Sequence, residues 1–290
     1  MDNPNRMVTL TSCAKWILSG EHAVIRGRKA LAFPLPNYEN SVSLAGGGGF
    51  SPEADSEDSR NILVLLFEMA SALTGIPLEN MGRIVMICSI PTGVGFGSSA
   101  ALCANVAKVF KYYGFTGNVL ALAKHLEDKF HGKSSGLDVA VALTNKPVIF
   151  MNNSIVGFLE PSFWPHLALT YSGESSMTSR CVESVQKIFL NNERLALELD
   201  DMMDQASNLC EKGLKNADFC GLRDGIRLAC EAFHGWGLCN EPLKRHIDSL
   251  LLDGAAAAKP IGSGLGGYVL SLWEEQPKRD IYLTLEKPYM

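Results

Sequence analysis

Residues 90–105 read IPTGVGFGSSAALCAN, a glycine- and serine-rich stretch between two regular segments. The apolar run before it, at residues 83–90, is typical of a strand, and residues 100–113 follow with a helical pattern. Alternating glycines leave a backbone that a bulky anion can approach closely. The two serines stand where a helix N-cap is preferred, so free N–H groups and the positive end of the helix dipole face the loop. The stretch therefore has the physical character of a phosphate site.

Neither of the two commonest nucleotide motifs fits this stretch. No lysine follows Gly97, and the glycines are not spaced as in a dinucleotide fingerprint. A glycine-rich turn capped by serine is the plainer alternative. The preceding strand and the following small-residue helix favour anion binding.

The composition limits the classes of function that need to be considered. The 290 residues are 47% hydrophobic and 20% charged, which is typical of a globular protein. A net charge of −5 disfavours a broad nucleic-acid surface. The eight cysteines include no C-x-x-C pair, which disfavours zinc, and reduced thiols in a cytoplasmic enzyme are the simplest account. We expect no signal peptide and no contact with a membrane.

Short extended runs occupy the first forty residues. Residues 7–12, 15–18 and 30–33 read as separate strands with tight turns between them, which predicts a twisted sheet with a cleft near the turns. Lys15, Glu21 and His22 stand out there as candidate functional residues, although a lone lysine is usually a solvated surface charge. The four glycines at 46–49 predict a hairpin tip, and residues 51–60 predict a loop.

Two helical patterns flank the glycine-rich loop, at residues 61–73 and 117–130. The second carries Glu127 and runs into the sequence HGKSSGLD at residues 131–138, where a glycine can end one helix and a serine can cap the next. Asp138 then falls in the first turn of a helix, a position that carboxylates occupy for dipole reasons alone. A strand at 147–151 and a polar turn at 152–154 follow, and the turn is a plausible domain boundary.

The second half alternates strands with long helices. Strands are predicted at 167–171, 255–261 and 268–273, and helices from 182 and at 191–214, 221–234 and 242–251. The sequence GSGLGG at residues 262–267 satisfies the dinucleotide pattern literally. A strand rather than a helix follows it, so a glycine hairpin that closes over a neighbouring ligand suits it better.

Three of these segments together resemble the GHMP kinase superfamily. The loop PTGVGFGSSAA at 91–101 is similar to the phosphate loop P-x-x-x-G-L-G-S-S-A-A, with Phe96 in place of leucine. KWILSGEHAVIRG at 15–27 resembles the first superfamily motif, and KPIGSGLGG at 259–267 resembles the third, with Ile261, Ser263 and Leu265 as departures. The motifs occur in family order over nearly the whole chain.

Within the superfamily, the first motif is most similar to that of mevalonate kinases. Galactokinases carry an aspartate where Val24 stands here, and phosphomevalonate kinases tend to G-E-Y instead of G-E-H. Glu127 and Asp138 match the mevalonate kinase pattern of a glutamate followed by H-G-x-P-S-G-x-D, with Ser134 replacing the proline. The segment from Ser172 to Thr178 resembles the family's T-G…T segment, with an imperfect match.

The resemblance implies an α+β fold in two parts. Residues 1–155 would form a sheet-and-helix nucleotide domain, and residues 156–290 a ferredoxin-like domain. It also implies phosphoryl transfer from ATP to a primary alcohol, most simply mevalonate. The small-molecule substrate would be the partner, and a homodimer is left open.

The roles that the resemblance implies fall into four groups. Asp138 would accept the alcohol proton and Lys15 would keep it ionised. Glu21, His22 and Thr178 would face the acceptor, and Ser99 and Glu127 would ligate Mg²⁺. The triphosphate would lie on Gly93, Val94, Gly95, Phe96, Gly97, Ser98 and Ser99.

Three other interpretations remain open at the level of sequence. The nearest is a different GHMP kinase, such as a phosphomevalonate kinase. A second is a catalytically silent GHMP-fold nucleotide-binding protein, against which the intact Lys15, Glu127 and Asp138 argue. A third is an unrelated α/β protein with accidental glycine loops.

Overall fold

A computed structural model describes residues 7–45, 49–277 and 283–287 of the chain, without the side chain of His131. The strands are β1 (Val8–Ser19), β2 (Ala30–Ala45), β3 (Ser51–Glu53), β4 (Arg83–Cys88), β5 (Val148–Met151), β6 (Ser154–Phe158), β7 (His166–Tyr171), β8 (Ala257–Pro260), β9 (Tyr268–Trp273) and β10 (Leu283–Leu285). The helices are α1 (Glu57–Thr74), α2 (Ser98–Tyr112), α3 (Val119–His131), α4 (Leu137–Thr144), α5 (Thr178–Asn191), α6 (Glu193–Asn216), α7 (Phe219–Gly235) and α8 (Glu241–Leu252). Short 3-10 helices cover Ala23–Arg26 and Leu78–Asn80.

Local sequence signals account for most helix ends. The Ser56 side chain accepts the Ser59 N–H at the start of α1, and Asn118 caps α3 in the same way. Gly75 and Gly132 end these two helices with positive φ, which suits glycine. The predicted helices at 61–73 and 117–130 are thus confirmed. None of the helices in the described ranges is long and apolar enough to cross a membrane.

The described residues form two compact units built from interleaved stretches of chain. The first unit contains residues up to Lys15, Pro34–Pro91 and Phe96–Asn145; the second contains Trp16–Phe33, Thr92–Gly95 and Lys146 onward. The polypeptide passes between the units within β1, within β2 and at both ends of Thr92–Gly95. The predicted division between residues 155 and 156 stays a prediction.

The first unit packs helices on a small sheet. Residues 40–45 of β2 pair antiparallel with β4, and β3 pairs parallel with β4. Helix α2 buries ten of its fifteen residues, most of them small, which lets α3 and α4 pack closely against it. Its core also takes Leu63, Leu66 and Phe67 from α1. This unit therefore holds α2, α3 and α4 together through a densely packed centre.

The second unit contains a hairpin and a separate four-stranded sheet. β5 and β6 form the hairpin, and residues 30–32 of β2 pair antiparallel with β5. The other sheet has the order β10-β7-β9-β8 with antiparallel neighbours, so strands first to fourth along the chain lie as 4-1-3-2. This is the strand order of a ferredoxin-like sheet, as predicted. Helix α7 packs against both α6 and β8.

Several local predictions need correction. The two runs at 7–12 and 15–18 form one continuous strand, β1, because no turn interrupts its pairing with β2. The predicted loop at 51–60 contains β3 and the start of α1. Gly97 and Gly136, rather than serines, are the N-cap residues of α2 and α4, since both positions adopt positive φ. The predicted hairpin tip at 46–49 lies outside the described residues except for Gly49.

Candidate functional site

The glycine-rich loop enters α2 through three left-handed glycines. Gly93, Gly95 and Gly97 have φ of 75°, 82° and 75°, a conformation that side chains with a Cβ rarely adopt. Phe96 is buried between them and packs near the Tyr38 ring, which anchors the loop. Ser98 and Ser99 are the first two residues of α2, whose first-turn N–H groups lack acceptors within the helix. The geometry is that of an anion site at a helix N-terminus.

Lys15 lies directly against the start of α2, in the first unit. Its backbone N–H donates to the Phe96 carbonyl at 2.9 Å. A Cβ at Gly97 would come within 3.1 Å of Lys15 Cγ, so any larger residue there would crowd the lysine stem. Lys15 Nζ is 2.9 Å from Asp138 Oδ2 in the first turn of α4. The Asp138 side chain is 29% exposed, whereas Lys15 is almost fully buried, so a substrate can reach the carboxylate.

Glu127, on α3, has a buried carboxyl group with one oxygen that makes no hydrogen bond to the described residues. Its side chain is 3% exposed, and Oε2 is buried with no hydrogen-bond partner among the described residues. Burial, reinforced by the negative charge of Asp138, raises the pKa of Glu127 to about 8. The neighbouring Ser134 hydroxyl acts in the opposite direction and lowers the pKa of Glu127, but burial outweighs it. Lys15, Glu127 and Asp138 are called the carboxylate cluster below.

The donor set of this cluster fits Mg²⁺. The ion takes oxygen ligands and is usually held by one or two carboxylates. The orphaned Glu127 Oε2 supplies one such oxygen, and the neighbouring Asp138 adds negative charge. A divalent cation would therefore satisfy a buried atom that no described protein group satisfies.

A polar network fixes β1 relative to α4 and was missed by the sequence analysis. Lys108, on α2, donates to the Thr11 and Ala142 carbonyls and to Ser12 Oγ, at 2.5–2.9 Å. Asn145, which ends α4, accepts the Cys13 N–H and donates to the Thr11 carbonyl. Lys15 follows on β1 and Asp138 precedes on α4, so the network sets the distance between them. Burial lowers the pKa of Lys108 to about 8.

A second cluster lies in the second unit, around His22. The His22 Nε2–H donates to the Ser263 carbonyl at 2.9 Å, and the ring packs edge-on against Phe233 and Trp236. Burial lowers the pKa of His22 to about 4, so the ring is neutral at physiological pH with Nδ1 as a potential acceptor. Its backbone has φ 58° and ψ −46°, a strained conformation of the kind found at functional sites.

Glu21 forms a fully buried ion pair. Lys259 Nζ lies 2.5 Å from Glu21 Oε1, and the two side chains are 0% and 1% exposed. Lys259 also lies over the Phe233 ring. The pair ties the turn before Ala23–Arg26 to strand β8. Glu21, His22, Lys259 and Ser263 are called the histidine cluster below.

The loop at 262–267 is joined to the segment before α5. The Ser176 hydroxyl contacts Ser263 Oγ at 2.7 Å and donates to the Gly264 carbonyl, and the Gly267 N–H donates to the Glu174 carbonyl at 2.7 Å. Thr178 begins α5, and its hydroxyl lies 3.4 Å from Ser263 Oγ. The structure thus brings His22 and Thr178 to one loop, and it pairs Glu21 with Lys259 on the strand before that loop.

Sequence reasoning singled out both clusters but missed several members. Lys259 and Ser263 were quoted only as parts of a motif, and a lysine inside a strand followed by glycines was the available signal. Lys108 carried no signal, because it occupies an ordinary helical position. The roles assigned to individual residues stay predictions.

Residues 61–146 match the family model described as the GHMP kinases N terminal domain. This part of the chain, about 30% of its length, is therefore similar to the N-terminal domain of GHMP kinases. A mevalonate kinase of Thermococcus sibiricus is 24% identical over 304 residues, which cover 93% of this chain and 90% of that protein. The chain thus spans nearly the full length of that relative.

Two solved structures show the same fold. The L. major mevalonate kinase in complex with R-mevalonate has a TM-score of 0.74 at 19% identity, covering 95% of this chain and 90% of that one. The Streptococcus pneumoniae phosphomevalonate kinase with phosphomevalonate and AMPPNP has a TM-score of 0.75 at 15% identity, covering 92% of each chain. The predicted α+β GHMP kinase fold is therefore confirmed.

Proposed function

We propose that the protein is a mevalonate kinase, which transfers the γ-phosphoryl group of ATP to the primary hydroxyl of mevalonate. The observation that carries the proposal is the Lys15–Asp138 ion pair beside the N-terminus of α2. A phosphoryl transfer needs a positioned base and a positive environment for the phosphates, and little covalent chemistry from the protein. The similarity to the Thermococcus sibiricus mevalonate kinase over 93% of the chain supports the choice of acceptor.

Asp138 acts as the general base in this proposal. Its carboxylate accepts the proton of the acceptor hydroxyl while the hydroxyl oxygen bonds to the γ-phosphorus. The bond from that phosphorus to the β–γ bridging oxygen breaks, and ADP leaves. Lys15 holds the Asp138 carboxylate in place and stabilises negative charge on the transferring group. The partial exposure of Asp138 supports this role, since the base must meet the substrate.

The glycine-rich loop and α2 hold the triphosphate. The N–H groups of Ser98 and Ser99 and the positive end of the α2 dipole attract its oxygens. Glu127 and Ser99 would hold Mg²⁺, which neutralises phosphate charge when it is bound. The orphaned Oε2 of Glu127 supports this assignment.

The family resemblance assigns Glu21 and His22 to the acceptor. With Nε2–H committed to Ser263, the neutral His22 ring offers Nδ1 to an acceptor hydroxyl. Val24, where galactokinases have an aspartate, is buried and cannot hydrogen-bond a sugar hydroxyl. Mevalonate is therefore the expected acceptor and galactose is not.

The decisive experiment measures ADP formation with separate acceptors. The purified protein is given MgATP with mevalonate, phosphomevalonate, galactose or homoserine, and phosphorus NMR identifies the product. Turnover with mevalonate supports the proposal. Turnover with phosphomevalonate alone indicates a phosphomevalonate kinase. The fold of such an enzyme matches this chain as well as that of a mevalonate kinase does. Nucleotide binding without turnover indicates a silent binding protein.

A further inference from the structure

Two metal-binding side chains share one face of α7. Cys230 and His234 are four residues apart on this helix, so their side chains project from the same face, one turn apart. Cys230 is buried, whereas His234 is exposed. The pair is outside both clusters described above, and the proposed reaction uses neither residue.

The end of α7 brings a third side chain back to this face. Gly237 has φ 70°, its N–H donates to the His234 carbonyl, and the Leu238 N–H donates to the Phe233 carbonyl, each at 2.9 Å. These two bonds and the left-handed glycine form a Schellman motif, which reverses the chain direction. Cys239 follows immediately. As a result, one ligand atom each from Cys230, His234 and Cys239 lie within 4.8 Å of one another.

We propose that Cys230, His234 and Cys239 form a binding site for a thiophilic divalent cation, with Zn²⁺ as the ion that fits. Two thiolates and one imidazole are soft or borderline ligands that select zinc over Mg²⁺ or Ca²⁺. Zn–S bonds of about 2.3 Å at tetrahedral angles place two sulfurs about 3.8 Å apart, so small side-chain rotations close the site. The exposed His234 side leaves the fourth position to water.

The spacing C-x₃-H-x₄-C differs from the short cysteine pairs by which zinc sites are recognised in a sequence. The expectation that zinc is disfavoured rested on the absence of a C-x-x-C pair. Here a helical turn provides the first two ligands and a Schellman motif the third, so the cluster forms through secondary structure rather than a short knuckle.

Hydrogen bonds connect the segment that carries Cys239 to the loop at 262–267. The Leu265 N–H donates to the Leu238 carbonyl at 2.7 Å, and Asn240 Nδ2 donates to the Leu265 carbonyl at 3.3 Å. A Cβ at Gly264 would come within 2.8 Å of Leu238 Cβ, so the two segments are in close contact. A cation bound by Cys239 would restrict the motion of residues 238–240, to which this loop is hydrogen-bonded. Metal binding therefore rigidifies the loop that carries Ser263.

The first experiment measures zinc binding by the full-length reduced protein. The protein is kept in tris(2-carboxyethyl)phosphine, Zn²⁺ is added against a competing chelator, and native mass spectrometry counts bound ions. We expect one equivalent in the wild type and in Cys220→Ser, which removes an exposed thiol from the same helix. Because even the loss of a group that only orients a ligand costs about 10–100-fold in metal affinity, His234→Gln and Cys239→Ser should each weaken binding at least tenfold.

A second readout reports the ligands directly. Co²⁺ bound by thiolates gives charge-transfer absorption in the near ultraviolet, which should appear in the wild type and in Cys220→Ser but weaken in Cys239→Ser. Since His234 is exposed, its substitution leaves the core intact, and the test does not depend on folding of the cysteine variants. Absence of a bound equivalent in the reduced wild type, or unchanged binding in both ligand variants, overturns the site.

Amide hydrogen exchange tests the connection to the loop. Zn²⁺ should slow exchange of the Leu265 amide, which donates to Leu238, in the wild type and in Cys220→Ser. Cys239→Ser should show no such slowing. Equal Leu265 exchange with and without bound zinc in the wild type would overturn the connection. None of these readouts depends on kinase activity.

Discussion

The ammonium of Lys15 lies 2.9 Å from a carboxylate oxygen of Asp138, although the two residues are 123 positions apart in the chain. Lys15 reaches this position from the middle of β1, and Asp138 from the first turn of α4. The lysine is buried and the aspartate is partly exposed. Lys15 therefore contacts the Asp138 carboxylate from inside the protein, while part of that carboxylate faces the solvent. Four predictions concern this pair and its surroundings, and a fifth concerns His22 in the second unit.

Asp138→Asn should lower turnover by about 10²-fold or more, the range for the loss of a general base. The fold and ATP affinity should persist, because the amide keeps the shape. Single-turnover quenched-flow kinetics measure the step. Asp58→Asn is the matched control, since Asp58 is also a first-turn carboxylate and tests the dipole effect alone. A rate near wild type with saturating ATP would remove Asp138 from the mechanism.

Glu127→Gln should raise the Mg²⁺ concentration needed for half-maximal activity far more than it raises the acceptor KM. The substitution removes a carboxylate oxygen that no described protein group satisfies. A magnesium titration at fixed ATP and acceptor provides the midpoint. Glu68→Gln, on the exposed face of α1, should leave it unchanged. An unaltered midpoint in the Glu127 variant would indicate a carboxyl without a metal role.

His22 should make folding stability fall as the pH falls. Its pKa drops from 6.5 in the unfolded chain to about 4 in the folded protein, so the unfolded state binds more protons between these values. The stability contribution is complete above about pH 6.5 and is lost as the pH falls through about 4, with an extent of about 3 kcal/mol. Urea unfolding at several pH values measures the slope.

His22→Asn is the control for that experiment. Asparagine tolerates positive φ and keeps an N–H donor for the Ser263 carbonyl, but it does not titrate. The variant should lose less stability than the wild type over the same pH range. Parallel pH curves for the two proteins would contradict the prediction, because carboxylates elsewhere contribute equally to both.

Lys108→Met should lower both the free energy of unfolding and turnover. The substitution leaves the Ala142 carbonyl without its charged donor and the Thr11 carbonyl with only the Asn145 amide, and an unmet buried group costs about 1–3 kcal/mol. Strand β1 and helix α4 then no longer share the hydrogen bonds from Lys108. The distance between Lys15 and Asp138 is therefore less well defined. Urea unfolding and kcat measure the two effects. Lys111→Met, three residues later and exposed on α2, should change neither.

Gly97→Ala should impair turnover in addition to stability. The left-handed backbone costs alanine about 1 kcal/mol, and its Cβ would crowd the Lys15 stem at 3.1 Å. Gly75→Ala carries the same φ strain, at 72°, with nothing within 4 Å of its Cβ. Both variants should lose about 1 kcal/mol of stability, and only Gly97→Ala should lower kcat. Equal kcat in the two variants would show that Lys15 does not depend on this close contact.

Short-range sequence signals predicted the elements well but their junctions less well. Helices α1, α3, α6, α7 and α8 follow apolar spacing and caps that lie within a few residues of each other. The start of α2 was misassigned to the serines, because glycine in a left-handed conformation competes for the cap position. Continuity of β1 was missed, because pairing with β2 overrides the local Cys-Ala interruption.

Residues adjacent in the chain specify the glycine-rich loop, the helix that follows it and the reactive candidates, so the sequence alone was enough to predict them. Which of these residues contact one another became visible only in the folded protein. Lys15 pairs with Asp138, Glu21 with Lys259, and Cys239 returns to Cys230 and His234. Local backbone preferences set φ and ψ one residue at a time. These side-chain contacts depend instead on how buried surfaces pack over long stretches of chain.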